Sequence, residues 1–191
     1  MAIFVIGCSQ TPLPTAQTRP TNKIVEGALI QATEGAVYTA GYFKIPYPNG
    51  DIDRSKGVCT DVVIRALRHA GYDLQKLVHE DMRRNFRQYP RREAAPDSNI
   101  DHRRCPNQAF FFGRFGRRLT TEVSRRSLNQ WRPGDFVYWK LPSGLDHTGV
   151  LTNHLNAKGE PLVVHNINRC REEDVLTKWT IVGHYRYPAK G

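Results

Sequence analysis

The chain has no cysteine pairs at short spacing. Its four cysteines, Cys8, Cys59, Cys105 and Cys170, stand far apart in unlike surroundings, which excludes a zinc ribbon or a disulfide-dense scaffold. No segment approaches the ~20 consecutive apolar residues of a membrane-spanning helix. No internal repeat is present, which sets repeat architectures aside. Acidic residues are scarce: 18 Asp and Glu face 28 Lys and Arg, for a formal charge of +10. The expected partners are therefore anionic, whether nucleic acid, an acidic wall polymer or a lipid surface. Charge does not choose among them. The Arg doublets at 83–84, 91–92, 103–104, 117–118 and 125–126 are scattered through the middle of the chain and read mostly as solvated surface with some ion pairs.

What is present fits one ordinary domain, since 191 residues with 39% apolar content can bury a core without disulfides or metals. The first residues, Ala2 to Gly7, form a short apolar run ending in Cys8. That run resembles the end of a bacterial lipoprotein signal, with Cys8 as the acylated residue and the Pro/Thr/Gln stretch to Pro20 as a polar leash. We divide the chain into residues 1–20, a truncated lipoprotein-type signal and leash, and residues 21–191, a single domain.

Apolar spacing predicts a helix from an N-cap at Thr21 to Gly35, then an extended piece from Ala36 to Pro46. Tyr47-Pro48-Asn49-Gly50-Asp51 is a turn signal, with Gly50 as the residue that permits positive φ. From Cys59, the positions Val62, Val63, Ala66, Leu67 and Ala70 share one helical face, and Gly71 is placed to end the helix. A further helix runs from Asp73 to Tyr89-Pro90. Residues 90–107 read as a long loop, with a short helix around Phe110. Beyond Trp131 the pattern changes to strands at Asp135–Lys140, Asp146–Thr152, Leu162–Asn166 and Val182–Tyr187. Helices first and antiparallel strands second make an α+β fold, with the N-terminal helices packed on an antiparallel sheet.

Cys59 falls in the first turn of its helix, where unpaired N–H groups and the helix dipole favour a thiolate and can receive an oxyanion. A buried core cysteine would occupy the same place equally well. The histidines shift the balance. Period two puts His147 with Gly149 and Leu151, and His165 with Val163, each on the inward side of its strand. If those strands pair as a hairpin, the rings lie side by side, as a base and the group that orients it. Asn166 faces the other way. His102 and His184 read as structural.

Four segments carry a resemblance to the NlpC-type cell-wall peptidases of the papain-like superfamily: Gly57-Val58-Cys59-Thr60-Asp61, Pro133-Gly134-Asp135-Phe136-Val137, His147-Thr148-Gly149-Val150 and Val164-His165-Asn166. Tyr47 to Asp51, Val58 to Arg65, Asn99 to Arg104 and Gly183 to Tyr187 also resemble a bacterial family of unknown function grouped with those peptidases, over most of residues 24–187. The resemblance implies a papain-like fold and catalytic roles for Cys59, His147 and His165. It further implies a peptidoglycan amide or peptide bond as substrate, a periplasmic or envelope location including an outer-membrane lipoprotein, and no cofactor or metal. The nucleophile segment departs from the Asp-Cys-Ser-Gly usual in the peptidases. Asp101, Arg103 and Arg104 have no counterpart there, and we expect them to bind substrate carboxylates. We further expect membrane attachment through Cys8, a monomer and no nucleic acid. Three other functions fit the same residues: a zinc amidase using the Cys/His cluster, a non-catalytic module binding wall polymer or nucleic acid with the Phe110–Phe115 aromatics beside the arginines, and acyl transfer in place of hydrolysis.

Overall fold

The computed structural model describes residue 19, residues 22–90 and residues 93–189. Cys8 and the rest of the expected signal lie outside the described residues. Arg19, assigned above to the leash, is tied to the sheet: its N–H donates to the Asn153 carbonyl at 2.9 Å and its guanidinium to the Trp131 carbonyl at 2.6 Å.

In chain order the described elements are α1 (Lys23–Glu34), β1 (Val37–Tyr38), β2 (Lys56–Gly57), α2 (Cys59–His69), α3 (Leu74–Asn85), α4 (Cys105–Phe115), β3 (Arg117–Arg118), β4 (Phe136–Lys140), β5 (Asp146–Leu155), β6 (Pro161–Asn166), β7 (Cys170–Glu173) and β8 (Thr180–Arg186). A mixed α+β architecture results. Four α-helices precede a six-stranded sheet of order β3-β8-β4-β5-β6-β7 in which every neighbouring pair is antiparallel.

The helices stop and start where their end residues allow. Asn22, one residue later than expected, caps α1 by accepting from the Val25 N–H at 3.0 Å. At the end of α2, the Tyr72 N–H reaches the Leu67 carbonyl and the Gly71 N–H reaches that of Arg68, with Gly71 at φ 89°. These are the paired bonds that close a helix through a left-handed residue. Asp73 caps α3 through the Lys76 N–H. In the 47–51 turn, Asn49 rather than Gly50 takes the positive φ, 62°.

Alternation along the strands serves two cores. Phe136, Tyr138, Val150 and Val164 face the helices and join Val62, Val63, Leu67, Leu74 and Phe112. Val137, Trp139, Leu151 and Val163 face the other way onto Trp131, Val175 and Leu176. Both faces of the sheet are therefore buried.

Three local expectations are corrected. Only Val37–Tyr38 of the expected 36–46 extended piece is a strand, in parallel register with β2. Residues 90–107 are less of a loop than their composition suggests, because Asp101–Arg103 form a 3₁₀ turn and α4 begins at Cys105. The strand β7 reads Cys-Arg-Glu-Glu, a sequence that resembles solvated chain and is held in the sheet by its neighbour β6.

Candidate active site

Cys59 is the first residue of α2, and its place is fixed by a polar frame beneath the helix start. Asp61 accepts from the Val58 N–H at 2.8 Å and takes a two-pronged grip from Arg103, Nε to Oδ1 and Nη2 to Oδ2, both at 2.9 Å. Thr60 Oγ donates to the Arg103 carbonyl, and Asn166 Nδ2 donates to the carbonyls of Ala36 and Gly57 just ahead of the cysteine. Asn166 thus faces the helix side and holds the approach to Cys59.

His147 and His165 meet across the β5–β6 pairing, where Gly149 stands opposite His165. His147 Nε2 and His165 Nδ1 are 2.9 Å apart, with ring centroids 5.1 Å apart in an edge-to-face arrangement. Gly149 makes the approach possible. A Cβ there would stand 2.6 Å from Val163 Cγ1 and 3.2 Å from His165 Cβ. His147 lies stacked on Trp139, and Trp179 stands edge-on to both histidines, so the pair is boxed by aromatic rings that exclude water. On its far side His165 Nε2 is 3.0 Å from Glu173 Oε2, within charge-pairing distance but off the line of a good hydrogen bond. Burial first, then the neighbouring His147, hold the His165 imidazole well below the usual histidine range, so His165 is neutral at pH 7 and can accept at Nδ1.

The thiol joins this pair. The Cys59 thiol is held well below the ordinary thiol range, first by a hydrogen bond from the Cys105 thiol, against the opposing effect of burial, and then by hydrogen bonding and charge from His147 and the backbone of Thr148. Since His147 Nε2 is engaged by His165, Nδ1 is the nitrogen left for the thiol. The two sulfurs are 3.6 Å apart. Cys105 moves in the opposite sense, far above its usual value, chiefly through its bond to Cys59 and burial. Burial and then the charge at Cys59 raise the Tyr38 phenol above its usual value. A cavity of about 270 Å³ opens at Cys105, lined also by Phe110, Arg118, Tyr138, Trp139 and Asp146 among others.

The structure brings together Cys59, His147 and His165 and does not bring the three loop residues to them as ligand-gripping groups. Asp101 and Arg103 are buried, Asp101 accepting from the Asp97 N–H and Arg103 locked on Asp61. Arg104 is part-exposed and pairs with Glu93 at 3.5 Å. Arg103 is thus a support of the helix that carries Cys59, and the cation on the cavity wall is Arg118. His184 is structural: its ring stacks on Trp131 at 3.8 Å and Nε2 is 2.9 Å from Asp135. His102 is buried, and burial pushes it down to about 3. Phe111 and Phe112 lie in the core, Phe112 stacked on Phe136. Among the described residues, no group of three or more His, Cys, Asp or Glu side chains is arranged to hold a metal ion. The same residues include no helix long and apolar enough to cross a membrane.

Sequence reasoning missed Cys105, Glu173, Tyr38 and the two tryptophans. Cys105 left a faint signal, a cysteine followed by Pro at a helix start, but nothing local tells which other cysteine it meets.

The fold and site define an α+β protein with a buried Cys-His-His cluster at a helix N-terminus against an antiparallel sheet. The chain belongs to the family described as Domain of unknown function (DUF1287), whose model matches residues 25–187. It is similar to "Uncharacterized protein YijF" of Escherichia coli (strain K12), 46% identical over 170 residues, covering 87% of this chain and 82% of the relative. No solved structure matches.

Proposed function

We propose that the protein is a cysteine hydrolase of papain-like, NlpC-type kind that cleaves an amide or peptide bond of peptidoglycan. One observation carries the reading: at a helix N-terminus the Cys59 thiol is held well below the ordinary thiol range by its neighbours Cys105 and His147, and His147 Nε2 lies 2.9 Å from His165 Nδ1. His147 takes the Cys59 proton, and the thiolate attacks the substrate carbonyl. The developing oxyanion faces the first-turn N–H groups of α2. His147 then gives its proton to the leaving amine, and water hydrolyses the thioester with His147 as base. His165, neutral, accepts the His147 Nε2–H and fixes the ring, while Glu173 faces its other nitrogen.

The aromatic box and the cavity support a substrate that enters from the Cys105 side, and Arg118 offers a partner for a stem-peptide carboxylate. The net charge of +10 suits an anionic wall polymer. An envelope location, with a lipid anchor at Cys8, belongs to the same proposal, as do a monomeric state and the absence of nucleic acid among its partners. Incubation with muropeptides, quenching in acid and intact-mass measurement test the chemistry. A thioester adduct on the Cys59 peptide is expected, and adducts elsewhere or none across muropeptides of several stem types would refute it.

A further inference from the structure

The mechanism above leaves Cys105 unused as a reactant. It is the first residue of α4, as Cys59 is of α2, so two helix N-termini aim their sulfurs at one another across 3.6 Å. From this juxtaposition we infer that Cys59 and Cys105 form a reversible disulfide, a modification site at which hydroperoxides switch the nucleophile off and shield it from irreversible oxidation. The inference rests on the reading of Cys59 as the reactive thiol and not on what that thiol cleaves.

The chemistry balances with hydrogen peroxide as the oxidant. The Cys59 thiolate attacks one peroxide oxygen, the O–O bond breaks, and the departing hydroxide takes a proton to leave as water, giving the sulfenic acid Cys59–SOH. Cys105 sulfur then attacks the sulfenic sulfur. The S–O bond breaks, hydroxide leaves with the Cys105 proton as a second water, and the S–S bond remains. Two thiols have lost two electrons to one peroxide.

Each step has a structural counterpart. Thiolate character selects which sulfur is oxidised first, and Cys59 is the depressed one while Cys105 stays protonated. Closing the gap to the roughly 2.05 Å of an S–S bond asks for an approach of about 1.5 Å, within reach of side-chain rotation. Cys105 lines a cavity large enough for peroxide, and the Cys59 sulfur lies 3.6 Å from that of Cys105. Cys170 supplies the internal contrast: it is a free thiol, buried and pushed up to about 12 by its burial, packed elsewhere in the core. No disulfide between Cys105 and Cys170 is in place, and the neighbour of Cys105 is Cys59.

Treatment of the full-length protein with equimolar hydrogen peroxide, blocking of free thiols and tryptic mapping without reductant provide the test. The expected product joins peptide 57–65 to peptide 105–114, is lighter by two hydrogens and reverts fully with dithiothreitol. In Cys105→Ser treated with a molar excess of hydrogen peroxide, Cys59 should instead go on to the sulfinic or sulfonic state that dithiothreitol does not reverse, while wild type under the same excess still yields the reversible cross-link. Oxygen additions on wild-type Cys59 without a cross-link, or a cross-link through Cys170, would overturn the inference. A reduced protein that leaves muropeptides intact while still forming the 59–105 bond would sink the hydrolase reading alone.

Discussion

At the scale of single residues, the reactivity of Cys59 follows from what surrounds its sulfur. The largest effect lowering its pKa is the bond from Cys105, and His147 adds to it. The thiolate is therefore populated above a depressed midpoint, and reactivity is lost as pH falls through that midpoint. Alkylation of Cys59 by iodoacetamide, followed from pH 4 to 10, should show a midpoint well below the ~8.5 of a free cysteine. Cys105→Ala should move it upward, because the thiolate then loses its strongest donor. An unchanged midpoint in that variant would assign the shift to His147 alone. Glu173 belongs to the same chain of contacts, and its distance of 3.0 Å from His165 makes it a positioning residue. Glu173→Gln should lower kcat with little change in KM, since it acts on imidazole orientation and not on substrate.

At the scale of elements, the site is a product of register. Gly149 opposite His165 lets β6 bring its histidine against His147. Gly149→Ala would force the strands apart near the pair, and displacement of about 1 Å is enough to cost on the order of 100-fold in rate. The expected result is a folded protein by circular dichroism with hydrolysis reduced by about that factor. The Arg103–Asp61 pair has a different signature. Its two side chains are 2% and 5% exposed, and removing one partner of such a buried pair costs about 3–5 kcal/mol, so Arg103→Leu should show a stability loss of that size in urea unfolding.

These elements also explain what could be read from sequence. The α2 stripe from Cys59, its stop at Gly71 and the two-residue period through His147 and His165 are local signals, and they locate the cluster. The sign of the 101–104 segment could not be read locally. Asp101, Arg103 and Arg104 look like a solvent-facing grip in sequence, yet α2 buries its polar side as well as its apolar one, with Thr60, Asp61 and Arg65 all enclosed, and so requires charged partners from a distant segment. Cys105, Glu173 and Tyr38 escaped for the same reason, since each reaches the site only through tertiary pairing.

At the scale of the whole molecule, buried charge ties stability to pH. Burial, opposed in part by the Asp97 N–H, raises Asp101 to about 6. The folded state therefore binds this proton more tightly than the unfolded chain does, and the resulting stability is present below pH ~4 and lost as pH rises through about 6. Asp101→Asn removes the titration. The melting temperature of the variant relative to wild type should be higher at pH 8 than at pH 4.5, and the opposite order would show that Asp101 is held as a stabilised carboxylate. The two buried faces of the sheet and the aromatic rings around the histidines enclose the cluster of Cys59, His147 and His165, an arrangement in keeping with the proposed covalent acyl chemistry on a wall polymer. Digestion of purified sacculi by wild type and Cys59→Ala, with new termini identified by mass spectrometry, tests that claim most directly. Wild type should release fragments ending at one type of amide bond while Cys59→Ala releases none; identical fragments from both proteins would contradict it.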